Sequence, residues 1–391
     1  MKPEKQAAFH SDQTSLHNRT LYRVEKGPTD PTMVVFVGMH GNEKASIQAV
    51  EEMVVEGRLS SPTLLGNLFV LIGNKKALSL GRRFIDKDFN RIWTAEHLHR
   101  ARTETESNWP PTHELAELKE LDTEISEIIR KYGAGRLCFL DLHTTSAESG
   151  AFLPFNDSLA NRQLAERFPV PLILGIEEFL EGPLMSHINN LGFPALGFEA
   201  GRHGATASIL RHRAFLELAL CHWGIKTLSD GEKSGLEKQL SESLAIPSGF
   251  YEIRYRHDVR PMEGFAMDLG YINFQPVTKG QRLASDKQGV IYAPYTGLMF
   301  MPLYQVEGSD GFFIIRRVSR FWLVLSKWLR RAGISELIAW LPGVEKDPVE
   351  SAIYWVNPRI ARFFHREIFH LLGYRIKQEK RNGAIRIVRR G

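Results

Sequence analysis

Three residues in this 391-residue chain have the types and spacing of a metal centre: His40, Glu43 and His143. They stand in Val34-Val35-Phe36-Val37-Gly38-Met39-His40-Gly41-Asn42-Glu43 and in Leu137-Cys138-Phe139-Leu140-Asp141-Leu142-His143. Each segment is a short apolar run that ends in metal-ligating residue types. Two imidazoles and one carboxylate make a three-ligand zinc set with the fourth position open to water, and an open position separates a catalytic zinc from a structural one. Such a set predicts a hydrolase. If the His-Gly-Asn-Glu turn leads into a helix, both side chains can face one point. Taken alone, the same spacing also fits a solvated helix start, with Glu43 facing the positive end of the helix dipole. Asp141 lies two residues before His143 and so on the same side of a strand. A carboxylate there would hold the remaining ring nitrogen of His40 or His143, and aspartate is otherwise disfavoured mid-strand. Glu199 ends the run Ala195-Leu196-Gly197-Phe198-Glu199. It is the candidate base that takes a proton from metal-bound water and the acid that returns it to a leaving amine. Arg83-Phe84-Ile85-Asp86-Lys87-Asp88-Phe89-Asn90-Arg91 supplies cations that can grip a carboxylate or steady a developing oxyanion. For Arg82 and Lys87 a salt-bridged, solvated loop is the better reading.

These residues need a frame. Val34–Val37, Leu68–Ile72, Leu137–Leu142, Leu172–Leu174 and Ala195–Phe198 are continuous apolar runs suited to strands buried on both faces. Ala45–Val55 and Glu114–Tyr132 between them carry helical spacing; in the second, Leu115, Leu118, Leu121, Ile125 and Ile128 recur at three- and four-residue steps. Strands alternating with helices predict an α/β layered domain. Ligands in such domains gather at the carboxyl ends of the strands, where His40, His143 and Glu199 all fall. Leu228–Ser243 is polar and charged and reads as a linker or exposed helix. From Ile246 to Val318, short apolar runs with frequent Gly and Pro predict a small all-β module. Beyond Arg320 the chain reads as helical, amphipathic and basic, ending in Tyr374–Val388, where Asn382-Gly383 favours a hairpin turn. The expected division is a catalytic domain over 1–243, a β domain over 244–319 and a basic α-rich extension over 320–391.

Composition bounds the rest. The chain is 43% apolar and 24% charged, as in ordinary soluble globular proteins. No apolar run approaches the roughly 18 residues that span a bilayer. Met1–Asp12, which includes His10, does not read as a secretory signal. Only two cysteines occur, Cys138 and Cys221, which fits a reducing cytosol and a cytoplasmic protein. The net charge of +5 is uneven: residues 316–391 hold 17 Lys/Arg and 6 Asp/Glu, a net of +11, leaving −6 for residues 1–315.

Gly38-Met39-His40-Gly41-Asn42-Glu43, the Phe84–Arg91 segment, Asp141-Leu142-His143-Thr144-Thr145 and Phe198-Glu199-Ala200-Gly201 occur in the order seen in the succinylglutamate desuccinylase/aspartoacylase family, which the chain resembles over roughly residues 30–318. That family is related to the zinc carboxypeptidases. The resemblance implies a carboxypeptidase-like, mixed-sheet α/β catalytic domain with a smaller β domain at the site entrance. It implies one zinc ion per chain held by His40, Glu43 and His143. Glu199 would be the general base and acid, and Arg83 would polarise the scissile carbonyl. Asn90 and Arg91 would bind a substrate carboxylate. The implied reaction is hydrolysis of a small N-acyl amino acid or acylated amine. The pattern departs where substrate is chosen. The arginine that aspartoacylases carry about ten residues before the catalytic glutamate is replaced by Ser186-His187-Ile188-Asn189-Asn190-Leu191. The expected tyrosine of the β domain falls on Phe312, with Tyr304 as a substitute, and Arg202 and His203 could recognise a different acid.

A carboxypeptidase or esterase could use the same residues. Zinc is inferred from ligand type, and cobalt, manganese or iron could occupy the set. No nucleic-acid partner is expected; a homo-oligomer is compatible with the sequence. The tail motivates a reading of another class, a membrane-surface or partner-binding protein, because Trp322, Trp328, Trp340, Phe363 and Phe364 are interspersed with its basic residues. The spacing of the aromatics favours a helix that buries them against the parent domain.

Overall fold

The computed structural model describes residues 18–103, 112–242, 246–260, 262–305, 307–348, 353–357, 360, 366–381 and 384–389. The apolar runs form the expected strands. β1 (Thr20–Val24), β2 (Thr32–Val37), β3 (Asn67–Ile72), β4 (Leu137–Thr145) and β7 (Ala195–Arg202) make a five-stranded sheet in the order β1-β3-β2-β4-β7. β3, β2, β4 and β7 run parallel, and β1 closes the edge antiparallel. β2, β3 and β4 are buried at every position, because helices cover both faces. Their side chains alternate between two cores: Met33, Val35 and Val37 join the Ala45–Val55 and Thr206–Trp223 helices on one face. Val34 and Phe36 join Leu118, Leu121, Ile125 and Ile128 of the His113–Tyr132 helix on the other. The chain leaves β2 for β3 on one side and returns to β4 on the opposite side. The carboxyl ends of β2 and β4 therefore flank the point where the strand order reverses, the usual crevice for a ligand in such a sheet.

A second sheet of six strands runs β10-β13-β14-β8-β6-β5. It joins β5 (Leu153–Pro154) and β6 (Pro171–Leu174) to β8 (Gly249–Asp258), β10 (Pro276–Val277), β13 (Gly297–Phe300) and β14 (Asp310–Arg317). β6 pairs in parallel with β8 over Pro171–Leu174 and Gly249–Glu252, so this sheet runs across the Leu228–Ser243 stretch. Three strands, β9 (Ala266–Met267), β11 (Arg282–Asp286) and β12 (Gly289–Tyr292), form a smaller sheet beside it. The polar stretch itself contains the Asp230–Ser241 helix, started by a reciprocal Ser229–Glu232 cap and held down by buried Leu240.

The tail departs from the α-rich expectation. After the Arg320–Arg331 helix and a 3-10 stretch at Ile334–Trp340, β15 (Val344–Lys346), β16 (Ile353–Val356), β17 (Tyr374–Arg381) and β18 (Ala384–Arg389) make a four-stranded antiparallel sheet. Ile353-Tyr354-Trp355-Val356 is β-branched and aromatic, and its short length hid it beside the stronger helical pattern. β17 and β18 pair as the hairpin expected there; Asn382 and Gly383 lie outside the described residues, as do Phe363, Phe364 and Met1–Asp12. The expectation of a buried aromatic face is also overturned. The side of the Arg320–Arg331 helix that meets the body carries Ser326, whose hydroxyl donates to the Leu371 carbonyl at 2.9 Å, and Arg330, which donates to the Asp157 carbonyl at 2.9 Å. Phe321, Val324 and Trp328 point to solvent. Among the described residues no helix is long and apolar enough to cross a membrane.

Candidate metal and catalytic site

β2 ends at Val37, and Gly38, in the left-handed region at φ 62°, turns the chain toward His40. Gly41 then passes so close to the neighbouring helix that a Cβ would lie 2.1 Å from the Ala77 carbonyl carbon; only glycine fits. The Glu43 N–H donates to the His40 carbonyl at 3.1 Å, closing a turn that sets both side chains on one side. β4 delivers His143 to the same place. The ligand atoms of His40, Glu43 and His143 all lie within 4.8 Å of one another, and all three residues are buried.

Glu43 is the hub. Its Oε1 is 2.8 Å from His40 Nδ1, and its Oε2 is 3.1 Å from His143 Nδ1 and accepts from the Thr144 N–H at 2.8 Å. Each imidazole is backed by a second carboxylate at its far nitrogen: Asp88 Oδ1 at 3.0 Å from His40 Nε2, and Asp141 Oδ2 at 2.8 Å from His143 Nε2. Asp141 thus sits against His143. Asp88, inside a segment read for its cations, does the same for His40; its pairing depends on how the 83–91 loop folds and left no periodic signal. Arg83 donates to Asp88 Oδ2 at 2.9 Å and comes within 3.7 Å of Glu43. Burial opposes ionisation of Glu43 and Asp88, but His40 and His143 hold Glu43, and Arg83 and His40 hold Asp88, well below the usual carboxylate range. Burial likewise disfavours a charged His143, yet Asp141 and Glu43 outweigh it and raise its pKa well above the ordinary value.

Two imidazole nitrogens converging on one carboxylate, each imidazole oriented by an acid behind it, is a donor set suited to zinc. Glu199, opposite His143 in the β4–β7 register, completes the cluster. Its backbone is clamped by two 3.0 Å hydrogen bonds to Phe152, and its Oε2 has no hydrogen-bond partner. Burial, with Glu43 and Asp141 adding repulsion against the pull of His143, pushes the Glu199 carboxyl up to about 8.

Asn90 and Arg91 both hydrogen-bond within the protein, while the buried Arg91 Nε has no hydrogen-bond partner. The Asn90 amide oxygen accepts from the Leu184 N–H at 2.8 Å, and its NH2 lies 3.3 Å from His143 Nε2 and 3.5 Å from Asp141. Arg91 donates to Asp310 of β14 at 2.9 Å and to the Asn90 carbonyl at 2.9 Å. Phe312 is fully buried in the β module and stacked on His257 with ring centroids 5.1 Å apart. The Tyr304 hydroxyl is taken by the Asp268 carbonyl at 2.9 Å and the Tyr271 N–H at 2.9 Å. Arg202 turns outward to Glu148. His203 stays at the site: its Nδ1 is 2.7 Å from the Thr144 hydroxyl, and burial lowers its pKa from the ordinary value. A cavity of about 740 Å³ reaches Asp88 from outside, walled by Phe84, Val259, Phe265, Leu303 and Tyr304.

The Asp88→Asn protein is expected to bind zinc about 10–100-fold more weakly, because the imidazole it orients loses its anionic partner. Competition against a chromophoric chelator measures this; unchanged affinity would show that Asp88 serves only the loop.

The family model of the succinylglutamate desuccinylase/aspartoacylase catalytic domain matches residues 29–208. The chain is 27% identical over 123 residues to the succinylglutamate desuccinylase of Yersinia pseudotuberculosis serotype O:3, covering 32% of this chain and 34% of that one. It is 27% identical over 160 residues to the enzyme of the same name from Pseudoalteromonas atlantica, covering 39% and 43%. The chain therefore matches well under half the length of these curated relatives. Among solved structures, succinylglutamate desuccinylase from Vibrio parahaemolyticus has a TM-score of 0.53 at 17% identity, over 76% of this chain and 84% of that one. Murine aminoacylase 3 has a TM-score of 0.52 at 17% identity, over 75% and 97%. These two share the mixed α/β fold, with its several sheets.

Proposed function

We propose that this chain, whose residues 29–208 carry the succinylglutamate desuccinylase/aspartoacylase catalytic domain, is a zinc-dependent hydrolase of a small N-acyl amino acid or acylated amine. The observation that carries the reading is a buried carboxylate with an unpartnered oxygen, Glu199, beside the converging His40, Glu43 and His143. When bound by those three residues, zinc supplies a Lewis acid for the scissile carbonyl and lowers the pKa of water. The protein's own groups do the rest. Glu199 takes a proton from the attacking water and returns it to the amine as the carbon–nitrogen bond breaks, leaving a carboxylic acid and a free amine. Asp88 and Asp141 fix the two imidazoles. Arg83, held by Asp88, brings positive charge to the side where an oxyanion develops. Asn90 and Arg91, the latter with a buried Nε that has no hydrogen-bond partner, are assigned to a substrate carboxylate, with His203 and the cavity beside Asp88 completing recognition. The catalytic unit is assigned to residues 1–243, in a carboxypeptidase-like frame, with 244–319 at the entrance and 320–391 as a basic extension.

The test is amine release by zinc-loaded protein across N-acetyl, N-succinyl and longer-acyl amino acids, with a dipeptide and an ester alongside. Release from one acyl class supports the reading and identifies the substrate class. Cleavage of the dipeptide alone assigns the site to a peptidase, and inertness toward the whole panel with stoichiometric zinc rejects the deacylase reading.

A further inference from the structure

Residues 321, 324, 325 and 328 follow one another at helical steps of three, one and three, so Phe321, Val324, Leu325 and Trp328 share one face of the Arg320–Arg331 helix. In a helix packed for stability that face would be buried. Here Phe321 is 65%, Val324 67% and Trp328 61% exposed, while the opposite side, with Ser326 and Arg330, grips the body. Trp340, in the 3-10 stretch that follows, is 85% exposed. Arg320, Lys327 and Arg331 lie together along one edge of that face. The segment from Arg316 onward carries a net +11 by sequence, against −6 for the remainder of the chain.

We propose that this face is a docking surface for an anionic lipid bilayer, which the Arg320–Arg331 helix meets lying flat, its aromatic stripe entering the headgroup boundary. The charge pattern selects this occupant. A two-fold pairing with a second copy would set Arg320, Lys327 and Arg331 against their own duplicates. A layer of phosphate headgroups complements them, and the apolar stripe beside the cations gains burial in the acyl boundary. Tryptophan and phenylalanine are suited to that depth. Such docking would bring the hydrolytic site to the membrane surface without a spanning segment.

The test uses the full chain with vesicles of phosphatidylcholine alone and of phosphatidylcholine mixed with phosphatidylglycerol, read by co-sedimentation and by tryptophan emission. Two variants accompany it: Phe321→Gln/Val324→Gln/Trp328→Gln, and Arg320→Gln/Lys327→Gln/Arg331→Gln. These substituted side chains, exposed or on that edge, leave the melting temperature unchanged if the fold is kept, which circular dichroism checks. The expected result is binding to the anionic vesicles, blue-shifted emission, and loss of about 10–100-fold in partitioning for either variant and for raised salt. Binding lost only in the charge variant would mean simple polyanion attraction and overturn an inserted helix. Absence of binding to both vesicle types also overturns the proposal. A dimer in light scattering that the aromatic variant dissociates, with no lipid binding, would give the face to a second copy.

Discussion

Glu199→Gln is expected to slow amide hydrolysis by about 10²–10⁴-fold while the protein retains its zinc, the span general acid–base catalysis supplies. The substitution keeps the shape of the side chain and removes both proton acceptance and return. The other carboxylates of the cluster have orienting contacts: Asp88 and Asp141 lie against the imidazoles, and Glu43 bridges them. A Gln variant with bound zinc and unreduced turnover would remove Glu199 from the reaction. The same change has a signature in the metal-free protein. The folded Glu199 carboxyl is raised to about 8, chiefly by burial. Folding therefore holds a proton that the unfolded chain releases above the ordinary carboxylate range. By linkage, stability is fullest below that range and falls as pH rises toward 8. Glu199→Gln removes this loss, so the chelated variant is expected to melt a few degrees above the chelated parent at pH 8 and together with it near pH 4. Parallel melting curves across that window would contradict the raised pKa.

Glu43→Gln is expected to abolish zinc retention. Glu43 is the negative group that both Nδ1 atoms share, and its Oε2 also receives the Thr144 N–H. An amide in its place presents one donor to an imidazole and no charge to a cation. The loss of affinity should exceed the roughly 10–100-fold that removal of an outer carboxylate costs, and activity should fall with it. Metal content after dialysis, followed by chelator competition, measures this. Parent-level zinc in the Gln variant would mean the cation is held elsewhere.

The central sheet was legible because its strands are buried on both faces, so apolar runs such as Thr32–Val37 and Asn67–Ile72 carry no polar interruption. The convergence of His40, Glu43 and His143 followed from the same pattern, since ligands at carboxyl ends of adjacent parallel strands are neighbours by topology. What sequence could not carry was anything decided by a loop or by a choice of face. The pairing of Asp88 with His40 depends on the course of the 83–91 segment. The hydrogen bonds of Asn90 and Arg91 to Leu184 and Asp310, 94 and 219 residues onward, left no local signal. Helical periodicity found the apolar stripe at Phe321–Trp328 but is silent on which side meets the body. The short strand Ile353–Val356 was masked by the basic, helical composition around it.

The six-stranded sheet sets how this site can breathe. Strand β6, from the first half of the chain, is stitched in parallel to β8 over four residues, and Arg91 and Arg256 both hold Asp310. A hinge that swung the β module away would have to strip that ladder and expose its backbone groups together. The chain at Leu303–Gln305 and Glu307–Ser309 lies outside that ladder. Its ties to the ligand turn are light, Asn42 to Gln305 at 3.4 Å and Arg82 to Glu307 at 3.5 Å. Under the proposed hydrolase reading, substrate exchange through this stretch costs fewer backbone hydrogen bonds than swinging the β module away.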